Sequence, residues 1–163
     1  MFEAATITIS DPLEFHAELA RQAEGLLAGE RDWIANAANL AALIFTSLSD
    51  LNWAGFYFLK GDTLVLGPFQ GKPACVRIAK GRGVCGAAAE LLQTLRVDDV
   101  NAFPDHIACD TASRSELVVP LIRDGAVLGV LDLDSPRPAR FSAIDQAGVE
   151  RLAAIFVAAS DLP

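Results

Sequence analysis

The sequence predicts an α+β fold, a single domain in which a mainly antiparallel β-sheet is flanked by helices. Three observations lead there. Two amphipathic stretches open the chain, two hairpin signals follow, and a last amphipathic stretch closes it. At 163 residues the chain can bury one substantial core, and no repeat, low-complexity tract or linker divides it. Residues 1–163 therefore read as one domain. Its composition, 52% hydrophobic and 21% charged, excludes global disorder.

The first helix is expected over about residues 10–28, packed on or near the sheet. Ser10-Asp11-Pro12 supplies a cap and an early proline, and Gly29 supplies the stop. A second helix is expected from Asp32 to Leu48, with Ile34, Ala37, Ala41, Ile44 and Leu48 at helical spacing. Trp53–Leu59 is rich in aromatics and reads as a buried strand, paired through Lys60-Gly61-Asp62 with a strand over Thr63–Leu66. Ala74–Ile78 reads as a short strand, Gly81-Arg82-Gly83 as a turn and Val84–Leu92 as a helix. Asp98–Ser113 has no periodicity and reads as a long loop, a length that in compact domains tends to accompany function. Strands at Glu116–Ile122 and Val127–Asp132 flank Arg123-Asp124-Gly125, and Ser142-Ala143-Ile144-Asp145 resembles a capping box before the last helix.

The net charge of −8 repels phosphate backbones and argues against a nucleic-acid partner. Gly, Pro and charges interrupt every apolar run, so no membrane span is expected. The N-terminus shows no basic stretch before an apolar core, so a cytoplasmic protein is expected.

Cys75, Cys85 and Cys109 lie ten and twenty-four residues apart, with no Cys-x-x-Cys pair. His106 and Cys109 could offer metal ligands, but the spacing does not suit a zinc ribbon, and no metal or cofactor is expected. Buried inert thiols are the plain alternative. Against it, all three cysteines fall in or beside loops, and Gly67-Pro68-Phe69-Gln70-Gly71-Lys72-Pro73 fixes the backbone path just before Cys75. Asp132 and Asp134 are two residues apart on a strand, so they project from one face. Asp132 follows Val130-Leu131, where a lone carboxylate is costly, and Glu116 is a similar anomaly before Leu117-Val118-Val119. Asp134 could instead bond its own backbone before Ser135-Pro136. Trp53 and Tyr57 share a strand face, where core packing is their ordinary role.

Taken together, the segment from Gly67 to Cys75, Gly83-Val84-Cys85-Gly86, His106-Ile107-Ala108-Cys109-Asp110, Ser113-Arg114-Ser115-Glu116 and Val130 to Ser135 resemble the free methionine-R-sulfoxide reductases, which are GAF-domain proteins. Asn52 to Tyr57 also fits, and the likeness spans roughly residues 30–158. It implies a GAF-like fold and reduction of free methionine-R-sulfoxide. Cys109 matches the nucleophile, Cys75 the resolving cysteine and Cys85 a third cysteine. Glu116, Asp132 and Asp134 match acids that hold the substrate, and Trp53 and Tyr57 match aromatics of its pocket. Thioredoxin as reductant and a homodimer are implied in the same way. Two departures stand out: Asp105 where the family usually has Gly, and Ala79-Lys80-Gly81-Arg82 as a variant turn before Cys85. The rival readings are a GAF binding module sensing a small ligand or redox state, and an acyl-transfer enzyme using Cys109 and His106. The latter lacks any sign of an oxyanion hole.

Register in the last hairpin decides whether the acids meet. A two-residue Asp124-Gly125 turn in an unbulged ladder sets Glu116 opposite Leu133, facing away from Asp132 and Asp134. A three-residue loop ending in a left-handed Gly125 sets Glu116 opposite Asp132. The second arrangement, with positive φ at Gly125, is expected.

Overall fold

A computed structural model of the chain describes residues 5–104, 107 and 110–163. Helix α1 (Pro12–Leu26) starts where the Asp11 side chain accepts the Glu14 N–H, and α2 (Trp33–Ser47) where Asp32 accepts the N–H groups of Ile34 and Ala35. Strands β1 (Trp53–Lys60) and β2 (Thr63–Gly71) form the first hairpin, followed by β3 (Arg77–Ala79), α3 (Gly83–Leu91) and β4 (Leu95–Val97). A 3-10 turn at Val100–Ala102 precedes the second hairpin, β5 (Ser115–Arg123) with β6 (Ala126–Ser135). The last helix, α4 (Ala143–Ala159), opens with a full capping box between Ser142 and Asp145. No helix among the described residues is long and apolar enough to cross a membrane.

The strands form one antiparallel sheet in the order β3-β2-β1-β6-β5-β4. Helices α1, α2 and α4 cover one face, over Ala54, Phe56 and Phe58 of β1, Leu117, Val119 and Leu121 of β5, and Leu131 and Leu133 of β6. Phe56 lies 4.6 Å from Phe156 of α4, centroid to centroid, and Phe58 lies 4.5 Å from Trp33 of α2. Helix α3 covers the other face, where Trp53, Tyr57, Val118 and Val130 point. Each strand thus splits by parity, as a period of two requires.

Several boundaries depart from the sequence expectation, among them the end of β6, which runs on to Ser135 instead of Asp132. Strand β2 runs on to Gly71 instead of ending at Leu66, because Gly67-Pro68 is absorbed as a bulge opposite Phe56. Proline is tolerated there because a bulge needs no ladder donor. The strand expected at Ala74–Ile78 lies at Arg77–Ala79, and β4 falls where no element was expected.

The hairpin register corrects a further expectation. Arg123 pairs with Ala126, so the loop is the two-residue Asp124-Gly125 turn, not a three-residue one. Asp124 and Gly125 have φ of 51° and 78°, as a type I′ turn needs, so the positive φ of Gly125 stands. Leu121 then pairs with Gly129 while Ile122 pairs with Val127, leaving Leu128 as an extra residue in β6. This bulge moves the ladder by one. Glu116 faces Asp134, not Asp132, and Val118 faces Asp132. The three acids still share a face, by a route that neither loop reading contained.

Candidate functional site

On the α3 face, these elements enclose a pocket of about 520 Å³, its mouth included. Strand β1 contributes Trp53 and Tyr57, β5 contributes Glu116, β6 contributes Asp132 and Asp134, and the first turn of α3 contributes Cys85. Six of the residues singled out in the sequence therefore meet in one place. Pro73 and Ala74 line the pocket just before Cys75, whose carbonyl accepts the Tyr57 hydroxyl at 3.0 Å. Cys75 is disulfide-bonded, while Cys85 is free and buried. Cys109 and His106, the expected nucleophile and its neighbour, lie outside the described residues, as does Asp105.

The aromatic wall depends on Gly55, whose absent side chain leaves room between two stacked pairs. Trp53 stacks on Tyr57 at 5.9 Å and on Phe69 at 5.3 Å, and a Cβ at Gly55 would collide with both Trp53 and Phe69. The Trp53 indole N–H donates to the Lys72 carbonyl at 3.1 Å, which ties the wall to the segment leading into Cys75.

Burial and crowding of like charges dominate the electrostatics. Glu116 and Asp132 are each 6% exposed. Burial pushes both carboxyls well above their ordinary range, and neighbouring acids push the same way: Asp132 and Asp134 on Glu116, and Asp134 on Asp132. Asp134, partly buried near the end of β6, is raised by burial to about 7, with a Ser113 hydrogen bond opposing and Asp110 adding to the rise. The Cys85 thiol is pushed up by burial and then by Asp132 and Glu116, so it stays protonated, 3.9 Å from Glu116 Oε1. Tyr57 is raised by burial and the same acids. Such a pocket favours the protonated form of its carboxyls, able to give a proton to a bound oxygen. It can also receive a cationic ligand as those protons leave.

Sequence reasoning missed the polar rim. Asn52 donates to Ser113 Oγ at 3.0 Å and to Asp110 Oδ2 at 3.2 Å, and Lys72 lies 3.4 Å from the same Asp110 oxygen. The Ala112 N–H and Asn52 side chain, with lesser help from Lys72, hold Asp110 below its usual range against a modest effect of burial. Polar residues in an aperiodic loop carry no spacing signal. Asn52, Asp110 and Ser113 fall within the motifs that carry the resemblance, but nothing in their spacing assigns them this role.

Known proteins of similar sequence and fold point to one family. The GAF domain model matches residues 14–159. The chain is 53% identical over 141 residues to a free methionine-R-sulfoxide reductase of Escherichia coli, covering 86% of each chain. It is 46% identical over 148 residues to a protein of the same name in Saccharomyces cerevisiae, covering 86% of this chain and 82% of that one. A crystallised free methionine-R-sulfoxide reductase of Neisseria meningitidis, in complex with its substrate, superposes with a TM-score of 0.93 at 45% identity, covering 98% of this chain and 95% of that one. With its GAF fold and these relatives, the chain belongs to the free methionine-R-sulfoxide reductase family.

Proposed function

We propose that the chain reduces free methionine-R-sulfoxide to methionine. The observation carrying this reading is the convergence of Glu116, Asp132 and Asp134, through the bulge at Leu128, beneath the Trp53–Tyr57 wall and beside the Cys75 segment. The Cys109 thiolate attacks the sulfoxide sulfur. A buried carboxyl gives its proton to the oxygen, the OH passes to the cysteine sulfur as the S–O bond and the transient S–S bond break, and methionine leaves with Cys109 as a sulfenic acid. Cys75 condenses with it, releasing water and forming a disulfide. In favour of this pairing, Cys75 is disulfide-bonded and Cys85 is not, in a chain with three cysteines. Thioredoxin restores both thiols, no cofactor takes part, and Cys85 is a thiol of the pocket wall. The acids pair with the substrate ammonium and the aromatic wall receives its S-methyl group. By family resemblance, the chain works as a homodimer in the cytoplasm.

The test follows loss of the R epimer with dithiothreitol as reductant. Cys109→Ser should abolish turnover, because a hydroxyl without a strong base is a far weaker nucleophile than a thiolate. Substantial activity in that variant defeats the assignment. N-acetylated methionine sulfoxide, lacking the ammonium, should react more than about tenfold slower, since unpairing a desolvated charge costs roughly 2–5 kcal/mol. Equal rates would remove the acids from substrate recognition.

A further inference from the structure

The pocket acids and Cys85 do more than line a cavity. Cys85 Sγ and one carboxylate oxygen each from Glu116 and Asp132 all lie within 4.8 Å of one another, and all three residues are buried. A second observation is independent of that clustering. Asp132 Oδ1 is buried without a hydrogen-bond partner, in a residue 6% exposed that lines the pocket. An orphaned buried oxygen is costly and calls for a ligand.

We propose that Cys85, Glu116 and Asp132 form a site for a thiophilic divalent cation, Zn²⁺ or Cd²⁺, and that the bound cation excludes the substrate. One sulfur and two carboxylate oxygens suit a borderline or soft ion rather than Mg²⁺ or Ca²⁺, which take oxygen ligands in larger numbers. Metal–ligand lengths of about 2.3 Å to sulfur and about 2.1 Å to oxygen put ligand atoms roughly 3.4–3.6 Å apart in a tetrahedral site. Cys85 Sγ and Glu116 Oε1 are already 3.9 Å apart, and side-chain adjustment within the 4.8 Å cluster draws the three ligand atoms onto the ion. The fourth position opens to the pocket and takes water, as in three-ligand zinc sites. The protons held by Cys85, Glu116 and Asp132 leave for solvent as the cation binds, and the Asp132 carboxylate gains the partner that its Oδ1 lacks. Lys72 at the rim does not compete for these ligands, being 3.4 Å from Asp110 instead. The exclusion of substrate rests on the proposed function, because the cation takes the carboxylates assigned there to the substrate ammonium.

The experiment uses the whole protein with its Cys75 disulfide formed. Addition of Cd²⁺ should produce sulfur-to-cadmium charge-transfer absorption that saturates at one equivalent. Cys85→Ser should abolish that absorption, and Asp132→Asn, which keeps the side-chain shape, should weaken Zn²⁺ binding by calorimetry at least about tenfold. Melting curves without metal verify that both variants fold. Absence of the absorption in the unmutated chain, or its survival in Cys85→Ser, overturns the site. Free methionine sulfoxide should weaken Zn²⁺ binding competitively, and an unchanged affinity overturns the exclusion. A chain that binds the cation but never consumes methionine sulfoxide keeps the site and defeats the functional reading instead.

Discussion

The two faces of the sheet are built from alternate residues of the same strands, yet they treat charge in opposite ways. Under α1, α2 and α4, β5 and β6 present Leu117, Val119, Leu121, Leu131 and Leu133, with no charge among them. On that side of the sheet Asp145, half-buried at the start of α4, is fully engaged. It accepts the N–H and hydroxyl of the N-cap Ser142 and lies 3.1 Å from His16 and 3.3 Å from Arg140. Burial alone would raise Asp145, but the His16 and Ser142 hydrogen bonds and Arg140 outweigh it and hold the group well below the carboxylate range. One residue further along each strand, Glu116, Asp132 and Asp134 crowd together and are raised. The helix-covered face is organised for stability. The α3 face keeps unfavourable charge where chemistry can use it, a common cost of a functional site.

Several experiments can break or sharpen that contrast. The largest effect should follow from carrying a carboxylate across the sheet. Leu131→Asp sits beside Asp132 in sequence but points into the helix-covered core. It should cost on the order of 4 kcal/mol, read as a fall in the urea midpoint, because nothing there pairs with it. A loss below about 1 kcal/mol would show that the two faces do not differ as described. A smaller effect is expected for Asp145→Ala, which removes a cap and two polar partners together. About 2 kcal/mol should be lost near neutral pH, with the deficit shrinking in acid as the wild-type carboxylate takes up its proton.

The subtlest effect concerns pH and has the opposite sign. Asp134 is raised from an unfolded value near 3.8 to about 7, so the folded state binds the proton more tightly. Its contribution to stability is fully present below about pH 4 and is lost as pH rises through about 7. Asp134→Asn should therefore flatten the decline in melting temperature between those limits. Glu116 and Asp132, raised in the same direction, should leave a residual decline in that variant.

Much of this contrast was legible in the chain because strand parity and helix caps are local. Asp11, Asp32 and Ser142 mark helix starts by side chains that bond the next turn. Asp132 and Asp134 declare a shared face by spacing alone. The convergence of Glu116 with them was not local. It depends on whether the seven pairs between Glu116 and the turn stay in step, and Leu128, an ordinary leucine, gives no sign that it breaks step. Strand β4 was missed because three residues, Leu95, Arg96 and Val97, are too few to show a period. The polar rim of Asn52, Asp110 and Ser113 was missed because its geometry comes from tertiary contacts across some sixty residues of sequence.

The bulge at Leu128 also constrains how this hairpin can change in length. Between Glu116 and Asp134 the chain carries a two-residue turn plus one supernumerary residue, and together they set which side of the sheet everything beyond occupies. Substitutions at the exposed tip can drift freely so long as the turn conformation survives. A single-residue insertion or deletion there behaves like a frameshift in three dimensions, exchanging the pocket lining for the core lining along the rest of β6. Only a second change of one residue within the same hairpin restores the phase, so length variants in this segment should be inherited in compensating pairs.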